Sequence, residues 1–232
     1  MKKIYRALKI PFINRKRYIE LKCYSNTKFD IDNCPITLSS ELPVMKPVGP
    51  VSPYVGNFSG CYGYIKGMKK SAVLRAWTEA EFEGLGSDEG ISFNWADTAN
   101  GLSNITIHQD PIYQSNTNIL TKMTNPWRLE ETTGVHFVTA KHITNLTPMA
   151  IPSGLLTFNV GHQLNVFNLV HVSQPKYKIK FKEPLLALYP MSDLPLHVEC
   201  IFDPEKHGQL NNETNRRAYF KGNNLKLCRR HD

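Results

Sequence analysis

The sequence predicts a mostly-β chain: a single antiparallel β-sandwich or barrel with little helix and basic terminal arms. Three observations lead there. Short segments rich in Val, Ile, Thr, Tyr and Phe recur along the chain, and Gly, Pro and Asn punctuate them. Several of these segments alternate apolar and polar residues, the period of a half-buried strand. Helical periodicity is scarce, which argues against a βαβ fold. The chain has 232 residues, 41% of them hydrophobic, so it can bury a substantial core and global disorder is excluded.

The elements follow in order. Residues 1–17 read as a basic N-terminal arm, in which Ile4, Leu8 and Ile10 form one weak amphipathic turn that Pro11 stops. The β domain spans residues 18–213 and opens with Tyr18–Tyr24 (YIELKCY) as its first strand. Residues 35–60 carry Pro35, Pro43, Pro47, Pro50 and Pro53, a density that forbids a regular element and predicts an extended wrap or an ordered loop. Further strands are expected at Tyr62–Lys66, Ala72–Trp77, Ile91–Trp95, Ile105–His108, Trp127–Glu130, Val135–Ala140, Leu155–Val160, Leu164–Val170, Lys176–Phe181, Leu185–Tyr189 and Leu196–Phe202. The cleanest alternation is KYKIKF, with Lys176, Lys178 and Lys180 on one face and Tyr177, Ile179 and Phe181 on the other. Three lysines on one face suit a solvent-exposed strand that guards a sheet edge. Thr78–Leu85 (TEAEFEGL) is expected to form one or two helical turns. A second helix is expected over Pro204–Tyr219, with Asp203 as N-cap and Pro204 at the first helical position. Residues 214–232 form a basic C-terminal tail. No internal repeat is present.

Charge is unevenly distributed. The net charge is +8, with 28 Lys and Arg against 20 Asp and Glu. Residues 1–22 carry +7, residues 214–232 carry +5, and the 191 residues between them carry −4. The cations expected to meet an acidic partner are Lys2, Lys3, Arg6, Lys9, Arg15, Lys16 and Arg17 in the first arm, and Arg216, Arg217, Arg229 and Arg230 in the second.

No run reaches the ~20 apolar residues that a membrane span needs. The basic opening MKKIYRALKIPFIN is not expected to be a secretory signal, because Arg6 and Lys9 interrupt its apolar stretch. Cys23, Cys34, Cys61, Cys200 and Cys228 form no CxxC pair, so five reduced thiols are expected and structural zinc is not. Without a secretory route, the sequons at Asn57, Asn104, Asn145 and Asn212 are compositional accidents.

Few residue patterns carry chemistry. His108-Gln109-Asp110 is an H-x-D pair, and His162 or His171 stands at a suitable distance to complete an Fe(II) facial triad. An exposed histidine and a turn-starting Asp before Pro111 explain the same residues more simply. A nucleotide-hydrolysing barrel of the dUTPase sort would need a carboxylate in a hairpin to activate water. The hairpin of residues 155–162 offers only neutral Asn159. No phosphate-binding loop, dinucleotide fingerprint or nucleophile elbow occurs. Glu79, Glu81 and Glu83, and the pair Glu130-Glu131, read as solvated acids. Trp77, Trp95 and Trp127 read as core residues with paired indole N–H groups. No cofactor is expected.

Several segments occur together in a telling order: YIELKCY at Tyr18–Tyr24, SGCYGYIK at Ser59–Lys66 followed by Ala72–Trp77, NPWRL at Asn125–Leu129, the hairpin of Leu155–Leu169, and EPLLALYP at Glu183–Pro190. The ordered set resembles an uncharacterised protein family of tailed bacteriophages, especially T4-like phages of marine bacteria. The resemblance covers about residues 18–230. The chain departs from the family's Pro-Gly-Phe at Tyr62-Gly63-Tyr64, and from its Gly-Thr-Pro at Lys182-Glu183-Pro184. The second half also loosely resembles a dUTPase-like barrel that lacks the catalytic acid. The family resemblance implies viral origin and a mostly-β fold, and it transfers no catalytic residue. The expectation is a non-enzymatic viral protein in the virion or the host cytoplasm. It would be a virion structural or assembly component that meets other viral proteins, or packaged nucleic acid, through its arms. A homo-oligomer fits this expectation and a membrane does not. The rival readings are an Fe(II)-dependent oxygenase-like barrel and a nucleic-acid-binding regulator.

Overall fold

The computed structural model describes residues 18–26, 36–42, 67, 70–95, 104–107, 115, 117–159 and 163–214. The strands are β1 (Ile19–Ser25), β2 (Ile36–Leu38), β3 (Ala72–Arg75), β4 (Ala80–Gly86), β5 (Gly90–Trp95), β6 (Asn104–Ile107) and β7 (Asn118–Thr124). They continue with β8 (Arg128–Glu131), β9 (His136–Lys141), β10 (Gly154–Thr157), β11 (Val166–His171), β12 (Tyr177–Ile179), β13 (Pro184–Pro190) and β14 (Leu196–Phe202). One helix, α1, covers residues 204–214. The chain is therefore mostly β, and its sheets pack in a sandwich-like arrangement.

Four ladders organise the strands, in the orders β14-β1-β8, β10-β9-β13-β3-β2, β11-β7-β6 and β12-β4-β5. All pairings are antiparallel except one. The first strand, β1, lies parallel to the last, β14, with Ile19 opposite Leu196 and Ser25 opposite Phe202. A parallel pair needs a long connection, and here nearly the whole domain supplies it. This refines the expected antiparallel architecture.

A single hydrophobic cluster draws on all four ladders. It includes Leu21 and Leu129 from the first, Leu74 and Phe137 from the second, Met123 and Val166 from the third, and Phe82 and Ile179 from the fourth. Trp77 and Trp127 meet edge to face within it, with ring centroids 6.3 Å apart. The indole N–H of Trp127 is buried without a partner, contrary to expectation. Asn125, in the NPWRL segment, is also buried. Its carbonyl oxygen Oδ1 accepts the Trp127 backbone N–H (3.1 Å), and its amide donates to the Leu164 carbonyl. This side chain joins the entry of β8 to the start of β11.

Helix α1 forms where expected as far as residue 214, and residues 215–219 of the expected helix lie outside the described residues. The Asp203 carboxylate accepts the Lys206 N–H at 2.8 Å, an N-cap geometry. The helix lies on the outward face of the β14-β1-β8 ladder. Lys206 Nζ meets Glu130 at 2.8 Å, His207 meets the Pro126 carbonyl at 2.8 Å, and the Arg128 guanidinium donates to Asn211.

Further expectations fail, each for a local reason, among them that Glu131 is solvated: it is fully buried and accepts the N–H groups of its own turn. Thr78–Leu85 is not helical: Ala80 and Phe82 point inward while Glu81 and Glu83 lie half-buried, the period of strand β4. The Pro-rich region contains a regular element after all, because Ile36–Leu38 falls between prolines and pairs with β3. Cys200 is disulfide-bonded, so the five cysteines are not all reduced. The strand expected at Tyr62–Lys66 lies outside the described residues.

Candidate functional site

Among the described residues, an open concavity sits at one end of the β12-β4-β5 ladder. Strand β12 is an edge strand of its ladder, as its lysines suggested. Tyr177 and Ile179 turn inward, and Tyr177 stacks on Phe82 with centroids 5.5 Å apart. Burial pushes the Tyr177 phenol up to about 12, against the opposing effect of its hydrogen bond with Asn168. The outward lysines pair across the ladder: Lys176 with Glu81 at 3.0 Å and Lys178 with Glu79 at 2.7 Å. The hydrogen bond that Lys178 donates to the Glu79 carboxylate raises its ammonium above its ordinary value. The alternate acids of β4 are thus partners of the alternate lysines of β12.

After Ile179 the chain turns. The Glu183 N–H donates to the Lys180 carbonyl at 3.1 Å, and the Glu183 carboxylate accepts the Lys180 N–H at 2.9 Å. Lys182, at the third position of this turn, has φ 65°. That left-handed conformation suits glycine, and a side-chain-bearing residue there costs on the order of 1 kcal/mol. The turn therefore ends the inward alternation. Phe181, expected to face inward, is 40% exposed, and Lys182 Nζ stands 5.2 Å from its ring centre.

Facing this turn is the loop of residues 142–149, which its own side chains hold rigid. Asn145 is buried, and its Oδ1 accepts the Thr147 N–H at 3.0 Å together with the Thr147 hydroxyl. Lys141 Nζ donates to the Thr147 carbonyl at 2.6 Å. Burial leaves the Asn145 amide no room for a glycan, so this sequon is structural. The loop presents Leu146 at its apex, 92% exposed. At its base the His142 N–H donates to the Leu185 carbonyl on β13 at 2.9 Å. The His142 ring is fully buried, with Nδ1 2.8 Å from the Thr144 hydroxyl and Nε2 unpartnered. Because the Thr144 N–H also points at Nδ1, that nitrogen is an acceptor and Nε2 carries the proton. Burial pushes the His142 pKa down to about 4.

Between turn and loop lies a hollow of about 550 Å³, lined by Leu146 and Thr147 on one side and by Lys178 and residues 180–183 on the other. Lys180 and Lys182 are exposed and stand in no ion pair among the described residues. Two cations beside two exposed apolar side chains suit an acidic partner that also carries an apolar group.

A second polar cluster joins β1, β8 and α1. The Tyr24 hydroxyl donates to Glu130 at 3.2 Å. Desolvation, reinforced by the Glu130 carboxylate, pushes the Tyr24 phenol up to about 12. Burial lowers the Arg128 guanidinium pKa. The Lys206–Glu130 ion pair and the Arg128–Asn211 hydrogen bond tie the helix to this cluster, although the buried Arg128 Nε has no partner.

The sequence-predicted residues fall mostly elsewhere. Lys2, Lys3, Arg6, Lys9, Arg15, Lys16, Arg17, Arg216, Arg217, Arg229 and Arg230 lie outside the described residues, as do His108, Asp110 and His162. His171 is described at the exposed end of β11, where its Nδ1 accepts the Ser173 N–H at 3.1 Å. No group of three His, Cys, Asp or Glu suited to a metal occurs among the described residues. None of their helices is long and apolar enough to cross a membrane. Sequence reasoning missed Lys182, Phe181 and Leu146 as site residues. The period-2 lysine run does continue to Lys182, so part of that signal was in plain view.

No protein-family model matches the chain, and no curated protein matches it.

Proposed function

We propose that this chain is a non-enzymatic viral assembly component, a bacteriophage virion or morphogenesis protein, that binds acidic neighbours through its two basic arms. The charge partition carries the reading: +7 and +5 at the ends of a body of −4. Long-range attraction concentrates on the ends, and the acidic body is repelled by the same partners. Placement of the arms' roots supports it. The first arm adjoins β1, and the second follows α1, which is docked on the ladder that contains β1. The residues to which the two arms are joined thus belong to one layer of the fold. The neighbours are other viral proteins, with packaged nucleic acid as the alternative acidic surface.

The test uses the full-length chain. Mass spectrometry of purified particles should find the protein at a fixed copy number. The purified chain should bind poly-glutamate, with affinity falling steeply as salt rises. Replacing Arg15, Lys16, Arg17, Arg216, Arg217, Arg229 and Arg230 with Gln should remove that binding. Absence from particles together with no binding to poly-glutamate would overturn the proposal. Binding to duplex DNA alone, with a salt slope that falls in the same variant, would replace it with the nucleic-acid regulator.

A further inference from the structure

The hollow has a complementary surface on the same protein. The β4–β5 hairpin closes through Ser87-Asp88-Glu89, between Gly86 (φ 103°) and Gly90 (φ 81°). Asp88 and Glu89 are exposed at its tip, Glu83 lies just behind, and Leu85 is 42% exposed among them. Among the described residues, none of these three acids stands in an ion pair. The tip is thus an acidic projection that carries one exposed leucine. The hollow offers the opposite set: free Lys180 and Lys182 beside exposed Phe181 and Leu146.

The two surfaces cannot meet within one molecule. Ile179 pairs with Ala80, so Lys180 lies at the Ala80 end of the ladder, and the hairpin tip lies past Gly86 at the other end. The six residue steps from Ala80 to Gly86 separate them by about 20 Å at the rise of an extended strand. A rigid hairpin cannot fold back over that distance. We infer that the β4–β5 tip of one copy docks in the Lys180/Lys182 hollow of another, so that copies associate head to tail along the β12-β4-β5 ladder. Asp88 and Glu89 would meet Lys180 and Lys182, while Leu85 enters between Phe181 and Leu146. Such a contact uses different patches on its two sides. Successive copies therefore form a ring if the rotation closes and an open chain if it does not. The backbone at Lys182 points the same way. A residue in the left-handed region favours glycine, and a lysine placed there at a cost is accounted for by a role of its side chain.

This inference rests on the assembly reading, because it names one of the acidic neighbours. The two can still fail separately. Sedimentation velocity of the full-length chain at low salt should show concentration-dependent association that weakens as salt rises. Lys180→Glu with Lys182→Glu should weaken association by at least about tenfold, since like charges then face each other. Asp88→Lys with Glu89→Lys should do the same, and combining all four substitutions should restore it. Lys182→Gly relieves the positive φ while removing one cation, so its weaker association cannot be attributed to unfolding. A chain that stays monomeric at hundreds of micromolar, as an order of magnitude for weak contacts, would overturn the inference. So would association that the reversals leave unchanged. In either case poly-glutamate binding by the arms would be untouched, and the assembly reading would stand.

Discussion

Acidification should destabilise this fold through one buried histidine, and the size of the effect can be worked out. His142 is fully buried, with Nδ1 accepting from Thr144 and Nε2 carrying a proton without a partner. Burial holds its pKa near 4, against 6.5 in the unfolded chain. The folded state therefore refuses a proton that the unfolded state takes up. Stability from this group is complete above pH 6.5, is lost as pH falls from 6.5 to about 4, and changes no further below that. At 1.36 kcal/mol per pKa unit, the loss is about 3 kcal/mol. His142→Asn is the matched control, since its Oδ1 can still accept from Thr144 without titrating. Urea unfolding of both proteins at pH 7 and at pH 4 isolates the histidine from the carboxylates that both share. The wild-type advantage over the variant should shrink by about 3 kcal/mol between the two pH values, a midpoint shift of about 1–2 M urea. An advantage that is equal at both pH values would refute the reasoning and mean that His142 reaches water in the folded state.

Two further predictions concern stability. The Glu131 carboxylate is buried and accepts the N–H groups of Thr133 (2.6 Å), Gly134 (2.9 Å) and Val135 (3.2 Å) together with the Thr133 hydroxyl. Glu131→Ala strands those donors in the β8–β9 turn and should cost about 3 kcal/mol in chemical denaturation; a cost under about 1 kcal/mol would mean that water replaces the carboxylate freely. Gly84 lies against the segment after β11, where an added Cβ would stand 2.2 Å from the Val172 carbonyl oxygen. Gly84→Ala must therefore push two backbones apart and should lower the unfolding midpoint by about 2–4 kcal/mol equivalents, with faster hydrogen exchange at Gly84 and Gly86, whose N–H groups donate to Gln174 and Val172.

The strand pattern was legible wherever composition and period agreed. β14 was read to the residue, and β1, β9, β11 and β13 to within two residues at each end, because each alternates or runs apolar between clear turn signals. β4 was misread because Glu and Ala raise helix propensity, yet its two-residue period places Ala80 and Phe82 in the core. Tertiary packing overrode local preference there. β7 was missed because Thr121 and Asn118 dilute its apolar signal. Thr121 is fully buried, with its hydroxyl satisfied by the Asn168 carbonyl at 3.0 Å. A buried threonine is invisible to a reading that equates polar with exposed. The candidate site was half legible. The lysine alternation marked β12 as an exposed edge, but the hollow depends on Leu146, which a buried Asn145 aims from a loop about 30 positions away in sequence. No local pattern encodes that juxtaposition.

The two interaction systems divide the molecule in a way that bears on how it would assemble. The arms flank β1 and α1 in sequence, whereas the hollow and the acidic tip occupy opposite ends of the β12-β4-β5 ladder. Copies linked along the second ladder would each keep both arms free, because the linkage consumes no charge from residues 1–17 or 214–232. The arms of successive copies would then repeat at a fixed spacing, and each arm bound to one acidic surface would raise the local concentration of the next. Weak contacts of both kinds would thus reinforce each other. Charge reversal at Lys180 and Lys182 should accordingly weaken binding to an extended acidic polymer more than binding to a short one, although no arm residue has changed. Equal loss on both lengths would place those lysines in direct contact with the polymer and remove the need for any linkage between copies.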